Sequence, residues 1–175
     1  MKSRPDRYSG VAVTIHWLSA IAIFVLLGSG FGAAIAVDPV ARIGLLRLHV
    51  PLAIIVLILT LGRLAWWVLA DRKPAPIANA PGWQEAGASA VHLLLYVVLF
   101  VMLGSGIALL AASGAGAALL GGAGTLPDFT LFAPRIAHGL GALLLIALLA
   151  AHIGAALYHH LVRRDAIFLR MWYGR

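Results

Sequence analysis

The chain has 175 residues, of which 62% are hydrophobic and only 11% are charged, and its mean hydropathy is +0.99. An ordinary soluble domain is about 45–50% apolar and about 25% charged, so this composition excludes a soluble globular protein and a disordered one. The sequence contains no cysteine, which excludes disulfides, a thiolate nucleophile and cofactors held by thiolates. The net charge of +7 indicates basic loops beside a membrane rather than binding of nucleic acid.

Uncharged segments divide the chain into predicted membrane spans, each of which needs about 20 apolar residues. Four such spans are predicted at about residues 11–36, 45–69, 87–111 and 134–162. Arg63 lies near the end of the second span, and we expect its side chain to extend outward to the membrane surface. The sequence therefore predicts an all-α protein, a four-helix transmembrane bundle that forms one domain over residues 1–175 without an internal repeat.

The distribution of basic residues predicts how the bundle is oriented. Four spans place both termini on the same side of the membrane, and cytoplasmic segments are enriched in Lys and Arg. With cytoplasmic termini, the inner segments hold Lys2, Arg4, Arg7, Arg63, Arg72, Lys73, Arg163, Arg164, Arg170 and Arg175. The outer loops then hold only Arg42, Arg47 and Arg135. We therefore expect both termini to be cytoplasmic.

Histidines are unusually frequent in or at the ends of the predicted spans, at positions 16, 49, 92, 138, 152, 159 and 160. Ionisable side chains within a membrane are costly, and by default they indicate function. His138 and His152 lie on one span, about 40° apart around the helix and roughly 21 Å apart along it. One helix face thus presents two imidazoles at two depths, with His49 available at the outer depth and His16 at the inner depth.

Four interpretations of these histidine pairs are open from the residues alone. Two histidines that face each other across a bundle can hold a haem iron from both sides. Neutral imidazole also binds zinc, although cysteine is absent and no nearby carboxylate completes a set of four ligands. The histidines could instead be hydrogen-bonded packing residues or part of a proton relay, but the spans contain no Asp or Glu to extend a relay.

Seven short motifs, in order along the chain, resemble those of the bacterial cytochrome b561 family, four-helix dihaem proteins of the inner membrane. The motifs are Arg7-Tyr8-Ser9, Ile15-His16-Trp17-Leu18, Leu48-His49-Val50, His92-Leu93 with Tyr96, Ala151-His152, His159-His160 and Leu169-Arg170-Met171. The resemblance implies two b-type haems with ligands from spans one, two and four. It pairs His16 with His152 and His49 with His138, which agrees with the pairing by depth.

Two haems held by histidine on both faces leave no open coordination position, so we expect electron transfer rather than oxygen binding. Within the family the chain resembles the superoxide oxidases, which implies an oxidoreductase of the superoxide:ubiquinone type. Superoxide would then be oxidised on the periplasmic side and ubiquinone reduced near the cytoplasmic side. Arg42, Arg47 and Arg135 flank the outer histidines, and a basic mouth would steer a small anion. Each arginine could instead be an anchor at the membrane interface.

At the inner end, His159 lies on the same helix face as His152, where its ring could bind a quinone carbonyl. His159 and His160 could equally be interfacial residues without a ligand. His92 lies at the depth of His16 and could be a haem ligand, a quinone-site residue or a packing residue. Two other functions are open: an anchor subunit that passes electrons between quinone and a periplasmic redox enzyme, and a non-redox helical scaffold. In each case membrane lipid is an expected partner.

Overall fold

The structure is a computed structural model, and it describes residues 2–4, 6–72, 74, 81–121, 125–165 and 167–173. Over these residues the chain is helical, and its five α-helices are α1 Gly10–Ile35, α2 Pro39–Leu69, α3 Gly82–Ser113, α4 Gly116–Leu120 and α5 Pro134–Tyr158. Four of these helices, all except α4, are long and apolar enough to cross a membrane. The predicted all-α class with four candidate spans is confirmed. Lys73 and Arg175, which contributed to the predicted orientation, lie outside the described residues.

Local signals in the sequence begin and end these helices. The hydroxyl of Ser9 accepts a hydrogen bond from the backbone N–H of Ala12 at 3.4 Å and caps α1. Asp38 caps α2 in the same way, and Pro39 occupies the first helical position, where its missing N–H costs nothing. After α3 the chain turns at Gly114, whose φ of 66° is a left-handed conformation that glycine adopts without strain.

The long helices form two antiparallel hairpins, α1 with α2 and α3 with α5. The hairpins meet in the middle of the bundle through two apolar clusters. The first contains Ala22, Val56, Leu99 and Leu103. The second contains Val98, Met102, Leu145 and Leu148 of α3 and α5, and Ile23 and Leu27 of α1 pack against it. Because lipid is as apolar as these side chains, close packing rather than exclusion of water holds the hairpins together here. This packed middle separates the outer ends of the helices from the inner ends.

Both terminal segments are tied to the same end of the bundle. The carboxylate of Asp71, just after α2, accepts hydrogen bonds from the N–H and the hydroxyl of Ser3 at 2.8 and 2.7 Å. It also accepts from the indole N–H of Trp66 at 3.1 Å. On the other side, the N–H of Tyr8 donates to the carbonyl of Arg170 at 3.2 Å. The N-terminal segment is therefore held between the end of α2 and the C-terminal segment.

We expect Asp71→Asn to lower the thermal stability of the detergent-solubilised protein at neutral pH. Burial alone would raise the pKa of Asp71, but hydrogen bonds from Ser9, Ser3 and Arg72 outweigh it and hold the pKa well below its usual range. Loss of a charged, buried acceptor costs about 1–3 kcal/mol. Because the folded-state pKa is lowered, the contribution is present above about pH 4 and is lost as the pH falls further.

The measurement is thermal unfolding of wild type and variant over a pH series. Asp6→Asn is the control, because Asp6 is exposed and forms a 3.4 Å ion pair with its neighbour Arg7. Equal melting temperatures for wild type and Asp71→Asn at neutral pH would contradict the prediction.

Candidate functional site

The outer histidine pair joins the two hairpins, because His49 lies on α2 and His138 on α5. Their ring centroids are 6.1 Å apart. Nδ1 of His49 lies 3.1 Å from the carbonyl oxygen of Leu26 on α1 and 3.1 Å from the hydroxyl of Ser29. A carbonyl can only accept, so Nδ1 carries the proton and donates it. The lone pair of Nε2 is then available as a metal ligand.

The second hairpin repeats this arrangement around His138. Its Nδ1 lies 3.0 Å from the carbonyl oxygen of Met102 on α3 and 3.1 Å from the hydroxyl of Ser105. The Ser105 hydroxyl itself donates to the Met102 carbonyl at 3.1 Å. Each outer histidine therefore donates its Nδ1 proton to the neighbouring helix of its own hairpin. This kind of support fixes the tautomer and the ring orientation of a metal-binding histidine.

The inner histidine pair is His16 on α1 and His152 on α5, with ring centroids 6.3 Å apart. His92 on α3 lies beside them, 5.2 Å from His152. Nδ1 of His16 accepts a hydrogen bond from Arg63 at 3.3 Å, because a guanidinium can only donate. The hydrogen bonding at the inner level is thus opposite in sense to that at the outer level. A neutral His16 ring in this arrangement carries its proton on Nε2, so a metal bound at Nε2 would require the Arg63 contact to open and the proton to move to Nδ1.

The expectation that Arg63 extends to the membrane surface is wrong. Its guanidinium turns toward His16 inside the bundle, and its Nε is buried with no hydrogen-bond partner among the described residues. A charged group at this depth is more stable beside a polar ring in the protein than facing lipid. The inner level therefore carries a positive charge that the outer histidine pair does not contact.

The spacing of both pairs fits an iron atom held between two imidazoles. Metal–nitrogen bonds are about 2.0 Å long, so two opposed ligand nitrogens lie roughly 4 Å apart and their ring centroids about 6 Å apart. The observed separations of 6.1 and 6.3 Å match this value, whereas the 5.2 Å between His92 and His152 is shorter. Among the described residues, no group of three or more His, Asp or Glu side chains is arranged so that it could hold a metal ion by itself. A haem needs only two protein ligands, because the porphyrin supplies the other four.

The inner end of α5 contains a carboxylate that the sequence did not lead us to include. After α5 a π-helical turn runs over His159–Arg163, and Arg164 adopts a left-handed φ of 53°. This reversal brings Asp165 back to Nδ1 of His159 at 2.5 Å. Burial alone would raise the pKa of Asp165, but hydrogen bonds from His159 and Ile167 lower it. The carboxylate is therefore charged at neutral pH and holds the His159 ring.

Two of the outer arginines, Arg42 and Arg47 on α2, contact the segment that connects α3 to α5 in the second hairpin. A guanidinium N–H of Arg47 donates to the carbonyl of Ala118 in α4 at 2.9 Å. The guanidinium of Arg42 lies 5.9 Å from the ring centroid of Phe129 and lines a cavity of about 330 Å³ at the outer ends of α1 and α2. Arg135 lies in the first turn of α5, just before His138. Two of the three predicted steering residues therefore also support the outer segments.

A short sequence repeat underlies the similarity of the two hairpins. Residues 24–30 of α1 read Phe-Val-Leu-Leu-Gly-Ser-Gly, and residues 100–106 of α3 read Phe-Val-Met-Leu-Gly-Ser-Gly. The two heptapeptides differ only at Leu26 and Met102, the residues whose carbonyls accept from the outer histidines. The expectation that the chain contains no internal repeat is therefore wrong. Direct comparison of the first and third spans would have found it.

The repeat extends to the histidines themselves. His16 precedes the first heptapeptide by the same number of residues as His92 precedes the second. On the partner helices, His49 precedes Arg63 by the same number of residues as His138 precedes His152. The outer pair is therefore made of equivalent residues. The inner pair is not, because Arg63 occupies the position on α2 that His152 occupies on α5.

Comparison with known proteins gives the same family over nearly the whole chain. A sequence model of the family described as "Prokaryotic cytochrome b561" matches residues 7–174. Cytochrome b561 homolog 1 of Escherichia coli (strain K12) is 28% identical, and the match covers 95% of this chain and 97% of that protein. Cytochrome b561 homolog 2 of the same organism is 26% identical, with 95% and 92% covered. No solved structure gives a significant match.

The match to the family and the four membrane-crossing helices agree with each other and with the histidine pairs. The chain is thus a multi-pass bacterial membrane protein in contact with lipid, and it belongs to the prokaryotic cytochrome b561 family, whose members transfer electrons across the membrane by means of b-type haem.

Proposed function

We propose that the protein holds two b-type haems, one between His49 and His138 and one between His16 and His152. The observation that carries this proposal is the near-equal spacing of the two pairs at opposite ends of the packed middle. When bound, the haems supply one-electron chemistry. One histidine from each hairpin would hold each haem, and the surrounding helices would keep both sites within the apolar bundle.

The electron donor in this proposal is superoxide on the periplasmic side, and the acceptor is ubiquinone near the cytoplasmic side. Two superoxide anions each lose one electron and become dioxygen, while one ubiquinone takes up those two electrons and two protons to become ubiquinol. Arg42, Arg47 and Arg135 supply positive charge around the outer site, which raises the local concentration of a small anion. If both termini are cytoplasmic, as the distribution of basic residues predicts, the His159 end of the bundle would lie on the side where ubiquinone is reduced in this proposal.

His159 and Asp165 are suited to bind a quinone carbonyl and supply a proton to it. Asp165 fixes the proton of His159 on Nδ1 when the ring is neutral, and a protonated ring carries a second N–H for the ligand. His160 packs its ring against Phe168, 5.1 Å away, which favours an interfacial packing role. His92 lies next to His152, so it is a candidate for lining the inner haem site.

A second candidate is an anchor subunit that takes electrons from a periplasmic redox protein. The contacts of Arg47 with α4 and of Arg42 with Phe129 favour it, because they use positive charge to hold outer segments in place. Segments held in this way could form a docking surface for a protein donor. The rate of reduction by superoxide separates the two candidates.

Alanine variants test the assignment of haem ligands. We expect His49→Ala or His138→Ala to lose the outer haem and His16→Ala or His152→Ala to lose the inner one, leaving about one haem per chain in each case. Haem content per protein is measured by the pyridine haemochrome method. His160→Ala is the control and should retain both haems.

Two results would contradict this assignment. If His92→Ala loses a haem and His16→Ala retains both, His16 is not a ligand of the inner haem. Purified wild-type protein without any b-type absorption bands would exclude haem binding and favour the non-redox scaffold.

Replacement of Arg42, Arg47 and Arg135 by Gln should slow reduction by superoxide by about 10-fold or more, with both haems retained. It should also flatten the dependence of that rate on ionic strength, because exposed charges are screened over about 8 Å at physiological salt. The measurement is the second-order rate of haem reduction by pulsed superoxide at several salt concentrations. Arg72→Gln, at the opposite end of the bundle, is the matched control. An unchanged rate in the triple variant would shift the conclusion to the anchor subunit.

Asp165→Asn should slow electron delivery to ubiquinone while leaving haem content and reduction by superoxide unchanged. An amide does not hold the Nδ1 proton of His159 as firmly as a carboxylate does, so the orientation of the ring is lost. The measurement is the rate of haem reoxidation by a soluble ubiquinone analogue after rapid reduction, with Asp6→Asn as the control. Equal reoxidation rates in wild type and Asp165→Asn would remove this pair from the proposed site.

A further inference from the structure

The Ser-Gly dipeptide at the end of each repeated heptapeptide contacts one of the outer histidines. Ser29-Gly30 lies against His49, and Ser105-Gly106 lies against His138. We call these two dipeptides the Ser-Gly clamps. They lie on α1 and α3, whereas the histidines lie on α2 and α5. Each clamp thus acts on its histidine from the other helix of the same hairpin.

The serine of each clamp completes a three-membered hydrogen-bond group. The Ser29 hydroxyl donates to the Leu26 carbonyl at 3.2 Å and offers its lone pairs to Nδ1 of His49 at 3.1 Å. The Nδ1 proton of His49 is therefore shared between a carbonyl and a hydroxyl, both of which are fixed by the helix. Ser105 does the same for His138, so the tautomer is set identically on both sides of the outer site.

The glycine of each clamp provides the space that the imidazole ring occupies. A Cβ atom at Gly30 would lie 3.0 Å from Cε1 of His49, and one at Gly106 would lie 3.2 Å from Cε1 of His138. The ring would have to move to accommodate either methyl group. Gly28 and Gly104, two residues earlier in each heptapeptide, have no atom within 4 Å of such a position. The requirement for glycine is therefore specific to the residue that faces the histidine.

Within the part of the chain that the structure describes, neither His16 nor His152 has such a pair of acceptors at Nδ1, so the clamps belong to the outer site alone. Nδ1 of His16 faces a guanidinium donor, not a carbonyl and hydroxyl acceptor. An imidazole that donates from Nδ1 is a more basic ligand and favours the oxidised metal, whereas a nearby positive charge favours the reduced metal. The surrounding side chains are thus expected to lower the reduction potential of the outer site and to raise that of the inner site.

We propose that the two Ser-Gly clamps are positioning residues for the outer haem: they fix the Nδ1 proton and the rotation of His49 and His138, and they keep the potential of the outer site below that of the inner one. This inference rests on the proposed haem ligands. It makes electron transfer from the outer side to the inner side the downhill direction.

The test compares clamp variants with matched controls in the purified holoprotein. Gly30→Ala and Gly106→Ala should weaken retention of the outer haem by roughly 10-fold and change its low-spin electron paramagnetic resonance signal. Ser29→Ala combined with Ser105→Ala should keep both haems and raise the midpoint potential of the outer one in a spectroelectrochemical titration. In every clamp variant the inner haem should keep its wild-type signal and potential.

The control variants carry the same Gly→Ala and Ser→Ala substitutions at positions that do not contact the outer histidines. Gly28→Ala and Gly104→Ala add the same methyl groups to the same helices in open space. Ser19→Ala removes a buried hydroxyl of α1 that has no hydrogen-bond partner among the described residues. These variants should leave the signal and the potential of the outer haem unchanged.

Each outcome decides between this inference and the proposed function. Wild-type spectra and potentials in all clamp variants would overturn the role of the clamps and leave the haem ligands standing. Equal changes in clamp variants and controls would show a general effect on the helices and would also overturn it. Retention of both haems in His49→Ala would overturn the proposed ligands themselves, and the inference would fail with them.

Discussion

The hydrogen bond from an imidazole Nδ1 to a helix carbonyl organises the outer half of this protein. A helix interior offers carbonyls already used by its own N–H groups, yet each carbonyl oxygen has a second lone pair. Leu26 and Met102 use that lone pair to accept from His49 and His138. In a membrane a polar ring without such a partner would be costly, because lipid supplies none. The same hydrogen bond leaves the lone pair of Nε2 available to a metal. One interaction therefore both stabilises the buried ring and fixes which nitrogen could be a ligand.

The inner half satisfies its polar groups differently. Here the charge of Arg63 lies against His16, and the carboxylate of Asp165 lies against His159 at the end of α5. Arg63 lies inside the bundle, where the ring of His16 is its polar neighbour, whereas Asp165 lies beyond the end of α5, where the positive charge of Arg163 favours its carboxylate. The outer half thus relies on neutral acceptors and the inner half on charged partners. The two ends of the bundle therefore differ in charge, even though its two hairpins share a repeated sequence.

Much of the fold could be predicted because hydropathy and helical period are local properties of the sequence. The four spans and the depths of His16, His49, His138 and His152 follow from segment length and from 1.5 Å of rise per residue. The contacts that were missed depend on side-chain direction or chain reversal. Whether Arg63 turns inward or outward is decided by its tertiary neighbours, and Asp165 reaches His159 only through the π-helical turn and a left-handed residue. The repeat was overlooked because its two copies lie in separate spans.

The division into two hairpins has a consequence for how the protein matures. His49 and His138 lie on different hairpins, and so do His16 and His152, so neither hairpin alone contains a proposed ligand pair. The hairpins touch through the packed middle of the bundle and, at the outer end, through the contact of α2 with α4. With the ligands as proposed, each haem would connect the two hairpins, and the free energy of haem binding would stabilise their association. Supply of haem would then decide whether newly inserted helices settle into a stable bundle or remain open to membrane proteases.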